Sequence, residues 1–294
     1  MATRGVIYVA TGRKYVDEAT RSIASLKRFM PDIHATIFTD LGVESESFDR
    51  VLNIDKSGDG KRDKITSMSQ TPYDQTLYLD SDTYICGEIS ELFDLLDAFD
   101  VATTPDVNWN YYPIADVPFC YPELNTGVVL YKQSVEMTRF FDAWLKHYED
   151  YARKEPKGRD QPSFRTALYH SRLRFAALPY EYNCRWQERG VLVYTAKILH
   201  GRAGDARHFE TVAGALNRRI VRRVYIGRKV YGEFKRGRLT RRLEARLIAS
   251  FRDPPWKIGL RRLVKSLRQR GIRGTLNRTR EEMAKYRRSG QWVS

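Results

Sequence analysis

The sequence predicts an α/β fold with a mixed, mostly parallel sheet flanked by helices and followed by a basic helical C-terminal extension. Short apolar strands alternate with amphipathic helices over residues 5–169, which is typical of doubly wound sheets. Two of these strands end on carboxylates, Asp40 and Asp80, at the strand end where open α/β sheets bind ligands. Positive charge concentrated beyond residue 216 predicts the extension.

The individual elements follow from hydrophobic periodicity. Residues 5–10 form a short apolar run that predicts the first strand. The spacing of Ala19, Ile23, Leu26 and Met30 predicts a helix over 17–30, which Pro31 ends. Further strands are predicted at 34–40, 51–54, 76–80, 100–104 and 126–131, and further helices at 61–70, 89–96, 135–151 and 161–169.

The strand over 76–80 leads into two carboxylates one residue apart, Asp80 and Asp82. In an extended chain alternate side chains point the same way, so both can reach one cation while Ser81 turns aside. Hard divalent cations take oxygen ligands and keep positions free for substrate phosphates. The triplet therefore indicates a metal–diphosphate site, with two solvated acids in a turn as the alternative.

Five segments occur in an order that resembles one enzyme family. They are Asp40 after the second strand, Leu77–Asp82, Glu123–Val129, Asp160-Gln161 and Leu199–Gly201. In this order they resemble the GT-A glycosyltransferases, above all the retaining group of glycogenin and the bacterial lipo-oligosaccharide galactosyltransferases. The resemblance covers about residues 5–210 and implies a Rossmann-like sheet. It also implies transfer of a hexose from a nucleotide sugar, expected to be a UDP-sugar, to an acceptor hydroxyl with retention.

The resemblance assigns a metal site. Asp80 and Asp82 match the family's metal-binding pair, and His200 matches the histidine that completes the protein ligands. Two carboxylates and one imidazole suit Mn²⁺ better than Mg²⁺, because imidazole is a softer donor than magnesium prefers. A lone histidine is more often structural, but Gly201 beside it and the order of the motifs favour a ligand.

The same resemblance implies contacts to the donor nucleoside from the first strand and loop. Ala10, Thr11 and Tyr15 match the loop that holds the uracil, and Asp40 matches a ribose or base contact. Each residue alone is ordinary at such a position.

Two further residues match contacts to the donor sugar or its phosphates. Lys64, one helix upstream of the metal strand, resembles a basic donor contact, although Lys61 and Arg62 compete for that role. Asp106 resembles a carboxylate that contacts the sugar. For Lys64 a solvated charge run is the alternative, and for Asp106 a simple turn.

The proposed catalytic residues lie in two short motifs. Asn125 and Gly127 match an Asn-x-Gly turn, where the amide binds sugar hydroxyls and glycine permits close approach. Asp160 would hold donor hydroxyls, while the carbonyl oxygen of Gln161 would stabilise positive charge at the anomeric carbon. A helix cap is the alternative for Asp160. In this group a leaving-phosphate oxygen takes the acceptor proton.

The chain departs from the family after Gly201. The usual glycine, lysine, proline and tryptophan run is absent, so the cation that contacts the phosphate is not identified by the motif. Arg202 or Arg207 could serve, because guanidinium binds phosphate well.

A phosphatase of the haloacid-dehalogenase type is an alternative. Its Asp-x-Asp-x-Thr motif resembles residues 80–83 of this chain, with Asp80 as phosphoryl nucleophile and Thr83 directly after Asp82. Position argues against it, since that motif follows the first core strand. Moreover, Gly204-Asp205 lacks the further acid that those enzymes use.

Length and composition limit the remaining possibilities. A chain of 294 residues with 42% hydrophobic content can bury a substantial core. Cys86, Cys120 and Cys184 are too few and too scattered for a disulfide framework, which favours a reducing compartment. No run approaches the roughly 20 apolar residues of a spanning helix, and residues 1–10 do not resemble a signal peptide. We therefore expect a cytoplasmic protein whose membrane contact, if any, is peripheral.

Charge divides the chain into a catalytic domain over 1–215 and a basic amphipathic helical tail over 216–294. Residues 1–216 hold 26 Lys and Arg against 31 Asp and Glu, whereas residues 217–294 hold 25 against 5. Leu216, Ile220 and Val224 would share one helical face, as is typical of helices on anionic membranes. The expected acceptor is then a glycan or lipid-linked molecule in cell-surface glycan synthesis. Binding of nucleic acid by arginines and interleaved aromatic residues is the alternative, and it is not favoured.

Overall fold

The computed structural model describes residues 2–43, 47–55, 57–106, 114, 116–154, 159–218, 223–226 and 229–233. The chain divides into two compact units, residues 1–238 and 239–294, and the second lies wholly outside the described residues.

Short strands and five α-helices alternate along the described chain. The strands are β1 (Arg4–Val9), β2 (His34–Thr39), β3 (Arg50–Asn53), β4 (Gln75–Leu79), β5 (Thr83–Ile85), β6 (Val101–Pro105), β7 (Leu124–Lys132), β8 (Phe175–Ala177), β9 (Arg189–Leu192), β10 (Ile198–His200), β11 (Arg223–Ile226) and β12 (Lys229–Glu233). The α-helices are α1 (Arg13–Lys27), α2 (Gly60–Ser69), α3 (Val135–Lys154), α4 (Gln161–His170) and α5 (Ala206–Asn217), with 3₁₀ helices at Ser90–Asp97 and Tyr180–Tyr182.

Seven strands form the central sheet in the order β3-β2-β1-β4-β7-β6-β8. The pairs among β3, β2, β1 and β4 are parallel, as is β6 with β8, while β7 runs antiparallel to both of its neighbours. The predicted fold class, a mixed and mostly parallel sheet flanked by helices, is confirmed. Two small sheets complete the described part, β5 with β10 and β9 with β11 and β12.

Both faces of the central sheet are buried. Side chains alternate along each strand, so successive residues enter the cores on opposite faces. Val6 and Tyr8 of β1 face a core that also contains Ile23 of α1. Ile7, between them in sequence, faces the opposite core, which contains Trp144 of α3. This double burial explains why the strands read as continuous apolar runs.

Three local predictions differ from the structure. The helix predicted over 89–96 is a 3₁₀ helix, Ser90–Asp97. Helix α1 begins at Arg13, four residues before the predicted start, because Gly12 takes a positive φ of 84° that ends the preceding loop. Asp80 and Asp82 do not share a strand: they lie in the turn between β4 and β5, which the amide of Thr83 closes by donating to the Asp80 carbonyl at 3.1 Å.

The predicted helical tail is wrong over its first part. Arg223–Ile226 and Lys229–Glu233 are strands, and Val224 pairs with Val191 of β9. The β-branched and aromatic residues there favour a strand that has a partner. Helix α5 also crosses the predicted boundary at 215. The helices predicted beyond residue 233 lie outside the described residues and stay predictions.

Among the described helices, none combines the length and the apolar character that crossing a bilayer requires.

Candidate active site

The turn after β4 and the end of β10 bring two carboxylates and one imidazole together. His200 pairs with Thr83 across the small β5–β10 sheet, and the amide of Gly201 donates to the Asp82 carbonyl at 3.0 Å. His200 Nε2 lies 3.5 Å from Asp80 Oδ2 and 3.4 Å from Asp82 Oδ1. The ligand atoms of the three residues all lie within 4.8 Å of one another, so they can hold one metal ion.

Charge interactions at this cluster are strong. Burial alone would raise the pKa of Asp80 and of Asp82, but the positive charges of Lys64 and His200 at Asp80, and of His200 at Asp82, lower both. Burial would lower the pKa of His200, yet the two carboxylates outweigh it and raise that pKa. The carboxylates are therefore ionised at neutral pH and create a local potential that favours cations.

Lys64 links the metal cluster to Asp160. Its Nζ lies 3.2 Å from Asp80 Oδ1, 3.2 Å from Asp160 Oδ2 and 3.1 Å from Thr126 Oγ1. The ammonium also lies 4.8 Å from the centre of the Tyr78 ring. Burial would lower the pKa of Lys64, but the two carboxylates raise it, so this buried lysine stays charged.

The competing basic residues lie in different environments. Arg62 is exposed and pairs with Glu149 of α3 at 3.2 Å. Lys61 lines the cavity described below. Of these three basic residues, Lys64 is the one that forms ion pairs with Asp80 and Asp160.

Gly127 faces the cluster from β7. A Cβ atom at this position would lie 2.1 Å from His200 Cε1 and 2.8 Å from Asp80 Oδ2. Its carbonyl also accepts a hydrogen bond from the Asp80 amide at 2.8 Å. Close approach therefore requires glycine here, as the sequence suggested.

Asn125, Asp106 and Gln161 are joined to His200 through Asn183, which the sequence analysis missed. Gln161 Nε2 donates to Asp106 Oδ2 at 2.6 Å, and Asn125 Nδ2 donates to the same oxygen at 3.4 Å. Asn183 Nδ2 donates to Asn125 Oδ1 at 2.9 Å, and His200 Nδ1 faces Asn183 Oδ1 at 2.8 Å. No motif marks Asn183, since its partners are distant in sequence.

Asp160 precedes α4, but its carboxylate makes no capping hydrogen bond. Instead, Oδ2 accepts from Thr126 Oγ1 at 2.7 Å and faces Lys64. The capping alternative is therefore wrong for this side chain.

The first loop is held by Asp40, whose Oδ1 accepts from the Gly12 amide at 2.7 Å. Ala10 is buried, while Thr11 and Tyr15 line the adjoining cavity. Among the residues that line the cavity, Asp40 does not appear.

Arg202 is the late-loop cation that lies at the cluster. Its Nη1 is 3.9 Å from Asp82 Oδ2, and its Nε donates to Glu18 Oε1 at 3.3 Å. Glu18 Oε2 also accepts from Ser81 Oγ at 3.1 Å, so this buried acid holds both Arg202 and the turn between β4 and β5 in place. Arg207 does not line the cavity. Sequence reasoning missed Glu18, because it lies beside the apolar face of α1.

A polar cavity of about 710 Å³ opens above these groups, within the range of cofactor pockets. Half of the site residues predicted from the sequence line this cavity: Thr11, Tyr15, Lys64, Asp80, Asp82, Asp160 and Arg202. The other seven, Ala10, Asp40, Asp106, Asn125, Gly127, Gln161 and His200, are not part of its lining. Residues 58–61 and Tyr148 also line the cavity, and the sequence analysis missed Asp59, whose carboxylate accepts from the Tyr148 hydroxyl at 2.7 Å.

Two solved structures with a similar fold are those of glycosyltransferases. The structure of galactosyltransferase LgtC in complex with donor and acceptor sugar analogs matches 72% of this chain and 96% of its own, with a TM-score of 0.53 and 13% identity. The glycosyltransferase GlyE of Streptococcus pneumoniae TIGR4 matches 69% of this chain with a TM-score of 0.50 and 15% identity, and the match spans 56% of GlyE. These likenesses confirm the expected GT-A fold.

No protein-family model and no curated protein sequence matches the chain. The phosphatase alternative loses support on topology, because the Asp80 motif follows the fourth strand along the chain, not the first.

Proposed function

We propose that the protein is a metal-dependent glycosyltransferase that moves a hexose from a nucleotide sugar, expected to be a UDP-sugar, to an acceptor hydroxyl. The observation that carries the proposal is the convergence of Asp80, Asp82 and His200 within 4.8 Å beside a polar cavity. The fold shared with two glycosyltransferases supports it.

The donor set fits a divalent cation. Asp80 and Asp82 supply carboxylate oxygens and His200 supplies a ring nitrogen, a combination that suits Mn²⁺ and, less well, Mg²⁺. When bound, such an ion supplies Lewis-acid stabilisation of the charge on a departing diphosphate.

Lys64 and Asp160 organise the sugar side of the cavity. Lys64 fixes Asp160 Oδ2, which also accepts from Thr126. Among the described residues none donates to Asp160 Oδ1, so this oxygen is free to accept hydroxyl groups of the donor hexose. A carboxylate held in this way orients the sugar without rearranging.

In this proposal, Gln161 is the side chain that acts at the anomeric carbon. Its amide nitrogen donates to Asp106, so its carbonyl oxygen is directed elsewhere and can stabilise positive charge at the anomeric carbon. Retention, with the acceptor proton passing to a leaving-phosphate oxygen, rests on the resemblance to the retaining group.

Arg202 takes the place of the lysine that the family carries in its late loop. Glu18 holds the guanidinium beside Asp82, where guanidinium geometry suits a phosphate. Half of the Arg202 side chain is exposed, so the group remains accessible to a donor diphosphate.

The acceptor is proposed to be a glycan or a lipid-linked molecule at the cytoplasmic face of a membrane. Support comes from the 25 Lys and Arg against 5 Asp and Glu in residues 217–294, because a basic segment is attracted to anionic lipid. The pathway would be synthesis of a cell-surface glycan.

The experiment tests the metal cluster directly. Asp80→Asn and Asp82→Asn should abolish Mn²⁺-dependent binding of UDP in calorimetry and hydrolysis of the donor. The matched control is Asp142→Asn, because Asp142 is exposed on α3 and does not line the cavity. Wild-type affinity in both cluster variants would overturn the proposal. A panel of nucleotide sugars tested with Mn²⁺ then identifies the donor.

A further inference from the structure

A network of hydrogen bonds runs through the protein behind the metal cluster, and the direction of each bond can be deduced. The deduction begins at the Gly127 amide, which lies 3.0 Å from Asn125 Oδ1. A backbone N–H can only donate, so the atom of Asn125 at this position must be the oxygen. The orientation of the Asn125 amide is thereby fixed by the backbone.

That orientation determines the next two partners. Asn183 lies 2.9 Å from the same oxygen and must present its amino group there. Its own oxygen therefore faces His200 Nδ1 at 2.8 Å, so Nδ1 carries a proton and donates it. In the neutral imidazole the lone pair then lies on Nε2, the atom directed between Asp80 and Asp82.

The other end of the network fixes Gln161. With the oxygen of Asn125 committed to Gly127 and Asn183, its amino group donates to Asp106 Oδ2. The same carboxylate oxygen accepts from Gln161, which therefore also presents its amino group to Asp106. The carbonyl oxygen of Gln161 is consequently left for the substrate.

We propose that Asn183 is a positioning residue that selects the metal-binding tautomer of His200 and connects this choice, through Asn125 and Asp106, to the orientation of Gln161. The inference rests on the proposed function. Asn183 is only 1% exposed, so solvent does not compete for either of its hydrogen bonds. Partners that accept the second ring N–H of a metal-bound histidine typically contribute about 10- to 100-fold to metal affinity or activity.

Two substitutions separate the two bonds of Asn183. Asn183→Ala removes both, and should weaken Mn²⁺ binding by about 10- to 100-fold, measured as free Mn²⁺ by electron paramagnetic resonance. Asn183→Asp keeps an oxygen for His200 but loses the donor to Asn125. It should bind Mn²⁺ at least as tightly as wild type, yet turn over the donor with a lower kcat.

A nitrogen NMR measurement reports the tautomer without any metal. In ¹⁵N-histidine-labelled wild type, recorded at a pH above the His200 pKa that Asp82 and Asp80 raise, the neutral ring should carry its proton on Nδ1. In Asn183→Ala the proton should shift toward Nε2. The control is Asn217→Ala, which removes two bonds to Ala196 at 2.8 and 3.1 Å and should lower the Tm without altering the tautomer or Mn²⁺ affinity.

Different results would refute the proposed metal-dependent function and the proposed role of Asn183. If wild type binds no Mn²⁺, the proposed metal-dependent function fails, while the tautomer measurement still decides the role of Asn183. If wild type binds Mn²⁺ but Asn183→Ala keeps its affinity and tautomer, the role of Asn183 is wrong. Should the alanine variant not fold, Asn183→Asp decides: weaker Mn²⁺ binding or an unchanged kcat would overturn the proposal.

Discussion

Replacing Gly127 by alanine should disable the candidate metal site with a modest loss of stability. The added Cβ would lie 2.1 Å from His200 Cε1 and 2.8 Å from Asp80 Oδ2. Since non-bonded carbons pack at about 3.5–4.0 Å, the imidazole must move by roughly 1.4 Å or more. Metal sites tolerate deviations of only about 0.2 Å in their ligand distances.

The expected loss of stability and the expected loss of Mn²⁺-dependent UDP binding can be measured separately. Overpacking one methyl group costs about 1–3 kcal/mol, which lowers the Tm by several degrees. Displacing His200 also breaks its 2.8 Å contact with Asn183, so Mn²⁺-dependent UDP binding should fall by at least about 10- to 100-fold. Calorimetric titration at a temperature well below the Tm measures the second effect alone.

Gly214→Ala is the matched control. Gly214 lies in α5, and a Cβ there would meet nothing within 4 Å. Alanine in a helix interior is favoured over glycine by about 0.5–1 kcal/mol, so this variant should gain stability and keep wild-type binding. If Gly127→Ala bound Mn²⁺ and UDP as the wild type does, the close packing of Gly127 against His200 would be refuted.

Three further predictions concern separate parts of the chain. Gln161→Ala should lower kcat by about 10- to 100-fold with little change in KM in steady-state donor hydrolysis, because a bond to developing charge of roughly 1.5–3 kcal/mol is lost; wild-type turnover would exclude a catalytic role. Asp100→Asn should cost about 1 kcal/mol at pH 7, after solvent screening. Hydrogen bonds from Arg174 lower the pKa of Asp100 despite burial. The difference in Tm between wild type and Asp100→Asn should therefore be complete above about pH 4 and vanish as the pH falls through the lowered pKa. A difference in Tm that does not depend on pH would contradict this. Removing residues 239–294, which hold 16 Lys and Arg against 4 Asp and Glu, should abolish co-sedimentation with anionic liposomes but keep donor hydrolysis, since each basic residue contributes about 1 kcal/mol at such a surface. Binding of the intact chain to oligonucleotides but not to liposomes would favour the nucleic-acid alternative.

The central sheet was predictable because its strands are buried on both faces. A continuous apolar run such as residues 5–10 is stable only inside such a sheet. The third sheet was not predictable for the opposite reason. Ile220 and Val224 fit a helical spacing, but Val224 and Ile226 equally fit the alternation of a strand. Pairing with β9 decides between the two, and that partner lies more than 30 residues away.

The site residues also differ in whether a local sequence pattern marks them. Asp80 and Asp82 are close in sequence, so a local pattern could identify them even though they lie in a turn and not in a strand. His200 was found only through the order of family motifs. Asn183 and Glu18 carry no local signal, because each matters only through side chains that folding brings to it.

The cluster depends on two separate sheets. The central sheet supplies Asp80 at the end of β4 and Gly127 on the adjacent β7. The β5–β10 sheet supplies His200, opposite Thr83. Ser81 lies between the two carboxylates and donates to Glu18 of α1, so the turn that joins the sheets is held from a third element. The carboxylates are therefore close together in sequence but held by contacts from α1 and β7, whereas the imidazole lies beside them only because β10 pairs with β5.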